Sequence, residues 1–337
     1  MSGATKKRTI DAFFKPPNKK PRVEETQNVG TDQMGSAAPE EEQNLEYSTH
    51  PTYPFPIQTF PKPIELELAS LPSTTGRVMN DQLDLDLLYF EPYIPKYLER
   101  GVFTFLRSKL PFYRVEYDIK RGGIETRIRT PRYTTVFGLD ETSRFDESGE
   151  VVDAASGRKI VKDKNYSKYA PRPIPKCLDD LRKSTEAATN CKFNFCLVNY
   201  YASGSDSISY HSDDERFLGS LPAIASFSLG ARRDFLMKHK PIAPNDNAPS
   251  PPETKPIKLP LASGDMILMK GRTQANWLHS IPKRTGKNAD DGGRINITFR
   301  KAMVKGGTEN YYNYNVGTGP VYRWNETSGE MKLWQKQ

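Results

Sequence analysis

In the stretch Asn199 to Glu215, NYYASGSDSISYHSDDE, the residue types and spacing are those of a metal site. The stretch reads as a short strand, a Gly/Ser/Asp turn, and a second alternating strand ending in His211-Ser212-Asp213. Residues two apart on a strand point to the same face, so His211 and Asp213 can aim a nitrogen and a carboxylate oxygen at one point. The chain has four histidines. His50 lies in a proline-rich segment and His239 in a lysine-rich one, which leaves His279, in NWLHSIPKR, as the remaining ligand candidate. Two imidazoles and one carboxylate, with coordination positions left open, form the facial triad of non-haem Fe(II) oxygenases.

An oxygenase with this ligand set needs an electron-donating co-substrate beside the metal. A dicarboxylic keto acid such as 2-oxoglutarate needs a fixed cation for its far carboxylate, because that charge enters a partly dry pocket. Arginine meets the need with its bidentate fork. The segment RINITFR supplies Arg294 and Arg300 on one strand face, with Asn296 and Thr298 between them. All four follow His279 closely, so one path of chain can deliver both an imidazole and a carboxylate clamp.

From Phe193 onward the chain reads as β structure. FNFCLVNYY, SISYHSD, AIASFSLG, RDFLMKHK, DMILMKG, NWLHSIP and RINITFRKA are short strands separated by turn residues. Such a run predicts a jelly roll or small barrel, mainly β with flanking helices (an α+β chain). Residues 241–260, rich in Pro and Asn, read as a long loop. Upstream, the apolar spacing from Asp84 to Leu110 predicts helix, broken at Pro92 or Pro95. Residues 112–138 alternate like strands and turn at Gly122-Gly123 as a hairpin. Residues 139–165 read as a polar, irregular insertion, and Leu178 to Ala188 as a second helix ending near Asn190. The division expected is a disordered tail over 1–50, an extended segment and lid over 51–190, a catalytic core over 191–305, and an extension over 306–337 without an assigned role.

The sequence of 337 residues is 36% hydrophobic, with mean hydropathy −0.70 and 27 prolines. Those values describe a globular body carrying disordered or loop sequence. No apolar run approaches the roughly 20 residues of a membrane helix, and the charged N-terminus is unlike a signal peptide, so a soluble intracellular monomer is expected. Three cysteines, Cys177, Cys191 and Cys196, match no zinc spacing and read as reduced, buried thiols. The net charge of +8 and pI near 9.1 favour a polyanionic partner. In the tail, KRTIDAFF places Ile10, Phe13 and Phe14 on one face of a helical turn. It resembles the PIP box that docks on the sliding clamp PCNA, with Lys7 where that pattern begins with Gln. The basic run from Lys15 to Arg22 reads as a nuclear import signal, which places the protein in the nucleus.

Taken in order, NxYxxGxDxxxxHxD, a distant His, then RxNxTFR resembles the AlkB family of iron- and 2-oxoglutarate-dependent nucleic-acid dealkylases, most tightly over residues 195–302. The resemblance implies a double-stranded β-helix covered by an N-terminal nucleotide-recognition lid. It implies Fe(II) on His211, Asp213 and His279. It places 2-oxoglutarate against Asn199, Tyr201, Arg294, Asn296 and Arg300, with Arg294 on the far carboxylate and Arg300 bracing Asp213. It further implies oxidative demethylation of 1-methyladenine and 3-methylcytosine in DNA. O2 supplies the oxygen inserted into the N-methyl C–H bond, formaldehyde is lost, and 2-oxoglutarate becomes succinate and CO2.

For the substrate, the resemblance sets Glu215 against the damaged base, with Asp214 beside it. Ile124, at the hairpin tip, sits where duplex-acting relatives carry a wedge. Arg132 belongs to a Pro-Arg pair ahead of the lid, and Lys283, Arg284 and Lys287 would line the rim facing phosphates. Tyr166 and Tyr169 are candidates for stacking on a flipped base. Three other readings stay open. One is an RNA demethylase of the same chemistry, one a clamp-tethered, non-catalytic DNA-binding adaptor, and one a protein hydroxylase on fold alone.

Overall fold

The computed structural model describes residues 45–162, 169–242, 252–284, 292–303 and 319–336. The clamp-like motif with Ile10, Phe13 and Phe14, the basic run after it, Tyr166 and Lys287 therefore lie outside the described residues. In chain order the first elements are β1 (Tyr47–Ser48), β2 (Ile57–Gln58), α1 (Lys62–Leu68), β3 (Arg77–Met79), β4 (Leu87–Phe90), α2 (Lys96–Lys109) and β5 (Phe112–Tyr113). Next come β6 (Glu116–Arg121), β7 (Ile124–Arg129), β8 (Tyr133–Gly138), β9 (Ser143–Phe145), β10 (Val151–Asp153) and α3 (Lys176–Thr189). The β-rich part holds β11 (Phe195–Tyr201), β12 (Ile208–His211), β13 (Ile224–Gly230), β14 (Arg233–His239), β15 (Ile257–Leu261) and β16 (Met266–Met269). It continues with α4 (Thr273–Asn276), β17 (Trp277–Ile281), β18 (Arg294–Arg300), β19 (Val321–Asn325) and β20 (Glu330–Leu333).

Two antiparallel sheets face each other, as in a jelly roll. The larger runs in the order β20-β19-β5-β8-β11-β18-β13-β16-β4-β3, and the smaller in the order β12-β17-β14-β15. Alternation along β11 and β18 decides how the layers stack. Cys196, Val198 and Tyr200, with Ile295, Ile297 and Phe299, pack toward Leu98, Val102 and Leu106 of α2 and Leu178 and Leu181 of α3. The residues between them face the smaller sheet. There Leu197, Ile267 and Met269 share an apolar cluster with Phe235, Met237, Leu259 and Trp277. The strands are thus buried on both faces, which accounts for their dense apolar composition.

Several expectations change. Residues 87–90 form a strand, and helix begins only after Pro95. Leu87, Tyr89 and Phe90 are buried where β4 pairs with β16 at Met266 to Met269, and that tertiary pairing overrides the helix-like spacing. The loop expected over 241–260 contains the start of β15, which pairs with β14. Its Pro260 is tolerated because β15 is an edge strand of the smaller sheet. Residues 139–165 contain the β9–β10 pair over a small cluster of Leu139 and Val151, with Phe145 and Ile160 against it. The large sheet takes strands from before residue 190 and after 305, so the core strands are not confined to 191–305.

Other expectations match. The β6–β7 hairpin turns at Gly122 and Gly123, whose φ values of +56° and +83° suit a two-residue primed turn. Helix α3 ends at Asn190 in the left-handed conformation, φ +53°. All three cysteines are free; Cys177 and Cys196 are buried and Cys191 half-buried. No described helix is long and apolar enough to cross a membrane.

The helix-side core generates a stability prediction. Phe227 is fully buried between Tyr93 and Phe299, on the face away from the smaller sheet. Phe227→Ala should cost about 3–5 kcal/mol in denaturant unfolding. A loss under about 1 kcal/mol would mean that this layer is not close-packed.

Candidate active site

The polar face of the larger sheet and the inner face of the smaller one enclose a cavity of about 280 Å³. Asn199, Tyr201, Arg294, Asn296, Thr298 and Arg300 line it from one side; His211, Phe235 and His279 line it from the other. Strand pairing fixes the first group. Asn199 lies opposite Asn296 and Tyr201 opposite Arg294 in the β11–β18 register.

Register also unites the two imidazoles, since His211 lies directly across from His279 in the β12–β17 pair. The pairing shifts between Ile208 and His211, so these residues, three apart, both reach the cavity. Such a bulge re-aims side chains beside a site. Asp213, expected on the same strand, instead sits beyond the end of β12. Its N–H donates to Gln274 Oε1 at 3.0 Å, and its Oδ1 accepts from Arg300 Nη2 at 3.0 Å. His211 Nε2 lies 3.9 Å from Asp213 Oδ1, and His279 Nε2 lies 3.7 Å from Oδ2. One ligand-capable atom from each of the three falls within 4.8 Å of the others, a group that could hold a metal ion.

Protonation favours that use. The Ser209 carbonyl can only accept, so His211 Nδ1, 2.9 Å away, carries a proton, and the neutral ring would then have its lone pair on Nε2. Burial pushes His279 down to about 4, against the pull of Asp213 and with help from His211 and Arg300, so its ring is neutral near pH 7. Burial opposes the Asp213 charge, but Arg300, joined by the imidazoles when they are protonated at low pH, outweighs it and holds the carboxyl below its usual range. Phe235 stacks on the His279 ring, centroids 5.2 Å apart, and fixes its plane.

At the other end of this polar strip, Arg294 is 1% exposed. Its Nη2 donates to Ser228 Oγ at 2.7 Å, while Nε and Nη1 are buried without a partner. Burial pushes its pKa down to about 10, partly countered by Tyr201. Leaving a buried donor unmet costs about 1–3 kcal/mol, and more for a charged group. Among the described residues lining the cavity, only Arg294 has such atoms. A carboxylate would satisfy both, and that is the fit required of 2-oxoglutarate. Asn296 instead spends its amide on Ser226 Oγ and the Phe227 carbonyl. Asn199 Oδ1 accepts from Thr134 at 2.9 Å and Arg132 at 3.2 Å.

The substrate candidates are scattered. Arg132 and Glu215 line the cavity, and Glu215 accepts from Arg300 at 3.3 Å. Asp214 is not among the lining residues and pairs with Lys240 at 3.1 Å. Ile124 is 71% exposed at the hairpin tip. Lys283 is exposed, and Arg284 is tied to the Arg232 carbonyl. Tyr169 is 2% exposed and belongs to the apolar cluster with Tyr113, Val136 and Phe195, so it offers no face to a base. Sequence reasoning passed over Gln274, Ser228, Thr134 and Phe235. Only Ser228 had a signal, the alternation of IASFSLG that puts it on the same face as Ser226.

The family described as the 2OG-Fe(II) oxygenase superfamily matches residues 118–300, more than half of the chain. The protein belongs to that superfamily, whose members use Fe(II), 2-oxoglutarate and O2. Its relatives within that superfamily are named as AlkB homologues. It is 40% identical over 138 residues to the alpha-ketoglutarate-dependent dioxygenase alkB homolog 3 of Mus musculus, covering 40% of this chain and 46% of that one. It is 38% identical over 137 residues to the DNA oxidative demethylase ALKBH2 of Homo sapiens, covering 40% of this chain and 49% of that one. To the Arabidopsis thaliana protein of the same name it is 29% identical over 249 residues, 69% of this chain and 72% of that one. The matched segment thus spans about half the length of the two mammalian relatives.

The orphaned guanidinium yields a paired prediction. Arg294→Met should raise the unfolding free energy of the ligand-free protein by about 1–3 kcal/mol, because a buried unmet charge is removed. The same change should weaken 2-oxoglutarate binding, measured by calorimetry, by about 2–5 kcal/mol. Unchanged binding would mean that the free nitrogens do not meet the co-substrate.

Proposed function

We propose that this protein is an oxidative demethylase of 1-methyladenine and 3-methylcytosine in DNA. The observation that carries the reading is one cavity holding a His211-Asp213-His279 group, a buried Arg294 whose Nε and Nη1 are unmet, and Glu215 on its lining. The names of the ALKBH2 relatives support DNA as the substrate.

In this reading His211, Asp213 and His279 hold Fe(II), and Arg294 takes the far carboxylate of 2-oxoglutarate through Nε and Nη1. When bound, Fe(II), 2-oxoglutarate and O2 supply the oxidation of an N-methyl group to N-hydroxymethyl, with succinate and CO2 as co-products. The hydroxymethyl group then leaves as formaldehyde and restores the base. Arg300 keeps Asp213 ionised, and the Ser209 carbonyl selects the tautomer whose lone pair is on His211 Nε2. Both lesions are cationic in their N-methylated form, and Glu215, part-exposed on the cavity lining, supplies the complementary charge. Asn199, Tyr201 and Asn296 shape the co-substrate side.

Reaching such a base in duplex requires flipping it out, at a few kcal/mol that a blocked Watson–Crick edge reduces. The exposed Ile124 on a tight turn suits a wedge for the space left behind. Nuclear action and recruitment to the sliding clamp rest on KRTIDAFF and the basic run after it.

Wild-type protein with iron and 2-oxoglutarate should release formaldehyde from a methylated oligonucleotide, with the matching mass loss, and His211→Ala should not. Activity retained by His211→Ala would sink the metal assignment. Ile124→Ala should reduce turnover on duplex more than on single strands; equal losses would remove the wedge. Replacing Phe13 and Phe14 by Ala should abolish clamp binding in a pull-down while leaving turnover on short oligonucleotides intact. Clamp binding that persists refutes the docking motif.

A further inference from the structure

We propose that the C-terminal hairpin β19–β20 positions Arg294 for the co-substrate, with Trp324 clamping the two side chains that hold the turn from which Arg294 starts. The inference rests on Arg294 being the carboxylate-binding cation.

Gly292 lies two residues before Arg294. Its carbonyl accepts two hydrogen bonds, from Arg107 Nη1 at 2.9 Å and from Tyr200 OH at 2.8 Å. One indole packs on both donors. The Arg107 guanidinium carbon sits 3.6 Å from the Trp324 ring centroid, and the Tyr200 ring meets Trp324 edge-on, 6.3 Å away at 86°. Arg107 depends on this packing. It is 8% exposed, its Nε has no partner, and ring contacts to Trp324 and Phe103 take the place of a complete hydrogen-bond set.

The turn itself has little slack. Gly293 has φ +84°, and a Cβ there would fall 2.5 Å from the Tyr201 carbonyl. The Gly293 carbonyl accepts the Ala231 N–H at 2.9 Å. A shift at Gly292 is therefore passed directly to Arg294, whose fork must meet a carboxylate within about 0.5 Å. The hairpin is anchored independently of the cavity. Ser108 Oγ donates to Glu326 Oε1, Arg323 Nε donates to the Ser108 carbonyl at 3.2 Å, and Trp324 Nε1 donates to Glu326 Oε2 at 3.2 Å. Strand β19 pairs with β5, Tyr322 opposite Phe112. The segment is thus tied to α2 and presents Trp324 to the turn as a fixed wall.

The test is equilibrium binding of 2-oxoglutarate to the full-length, Mn(II)-loaded protein without oxygen, by calorimetry, beside its melting temperature. Trp324→Ala should weaken 2-oxoglutarate binding by about tenfold or more, the range found when an outer supporting partner is lost. Mn(II) affinity should be unchanged, and in turnover KM for 2-oxoglutarate should rise while kcat at saturation holds. Trp324→Phe, which keeps a ring over Arg107, should restore most of the affinity. Tyr200→Phe, which removes one donor to Gly292, should weaken binding in the same direction and serves if Trp324→Ala does not fold. A lower melting temperature with unchanged affinity in Trp324→Ala, or unchanged affinity in Tyr200→Phe, overturns the proposal and leaves the hairpin a purely structural element. If Arg294→Ala also leaves affinity unchanged, it is the assignment of Arg294 itself that fails.

Discussion

A strand that buries two guanidinium groups on one face and three large apolar side chains on the other needs a different neighbour on each side. Strand β18 is that strand, and the architecture follows from satisfying it. Ile295, Ile297 and Phe299 require an apolar layer, which α2 and α3 provide. Arg294 and Arg300 require a polar cavity, which the smaller sheet closes with its histidines. Burying ions is expensive unless they are paired, and the protein treats its two cases differently. Arg300 is met by Asp213 and Glu215, whereas Arg294 donates to a serine hydroxyl and leaves Nε and Nη1 unmet among the described residues. The first is a structural pair that also holds Asp213, one of the three residues that could bind a metal. The second is a charge left short of partners, which a bound carboxylate can complete.

The electrostatics of the cavity extend the same asymmetry. Arg132, Arg294 and Arg300 line it, with Arg233 close behind Tyr201, against Asp213 and Glu215. Positive charge dominates at the Arg294 end, which suits a dicarboxylate. The acidic groups gather with the imidazoles, which suits a divalent ion. A metal at His211, Asp213 and His279 and an anion at Arg294 would each relieve the repulsion that the other site feels, so the two should bind with mutual support.

Much of this was legible in the chain, because alternation with a period of two is a local property. RINITFR and FCLVNYY announce which residues share a face whatever packs against them. Where the reading went astray, a tertiary contact overruled a local pattern. Leu87 to Phe90 have helix-compatible spacing but pair with β16. Ile257 to Leu261 look broken by Pro260 but need hydrogen bonds on one edge only. Tyr169 sits in a polar stretch of sequence yet is drawn into the core by Tyr113 and Phe195.

By itself, then, the sequence determined which residue types were available for a metal and a keto acid, and which face of each strand would carry them. Side-chain alternation and the scarcity of histidine need no knowledge of the fold. Only the tertiary structure decided that His211 falls opposite His279, because register between strands far apart in sequence depends on packing and on the shift after Ile208. It also decided that Asp213 lies off the strand and is held by Gln274 and Arg300. And it decided that residues 321–333, silent as sequence, pack beside the turn that precedes Arg294. Those outcomes depend on which distant surfaces meet, and no local pattern records that.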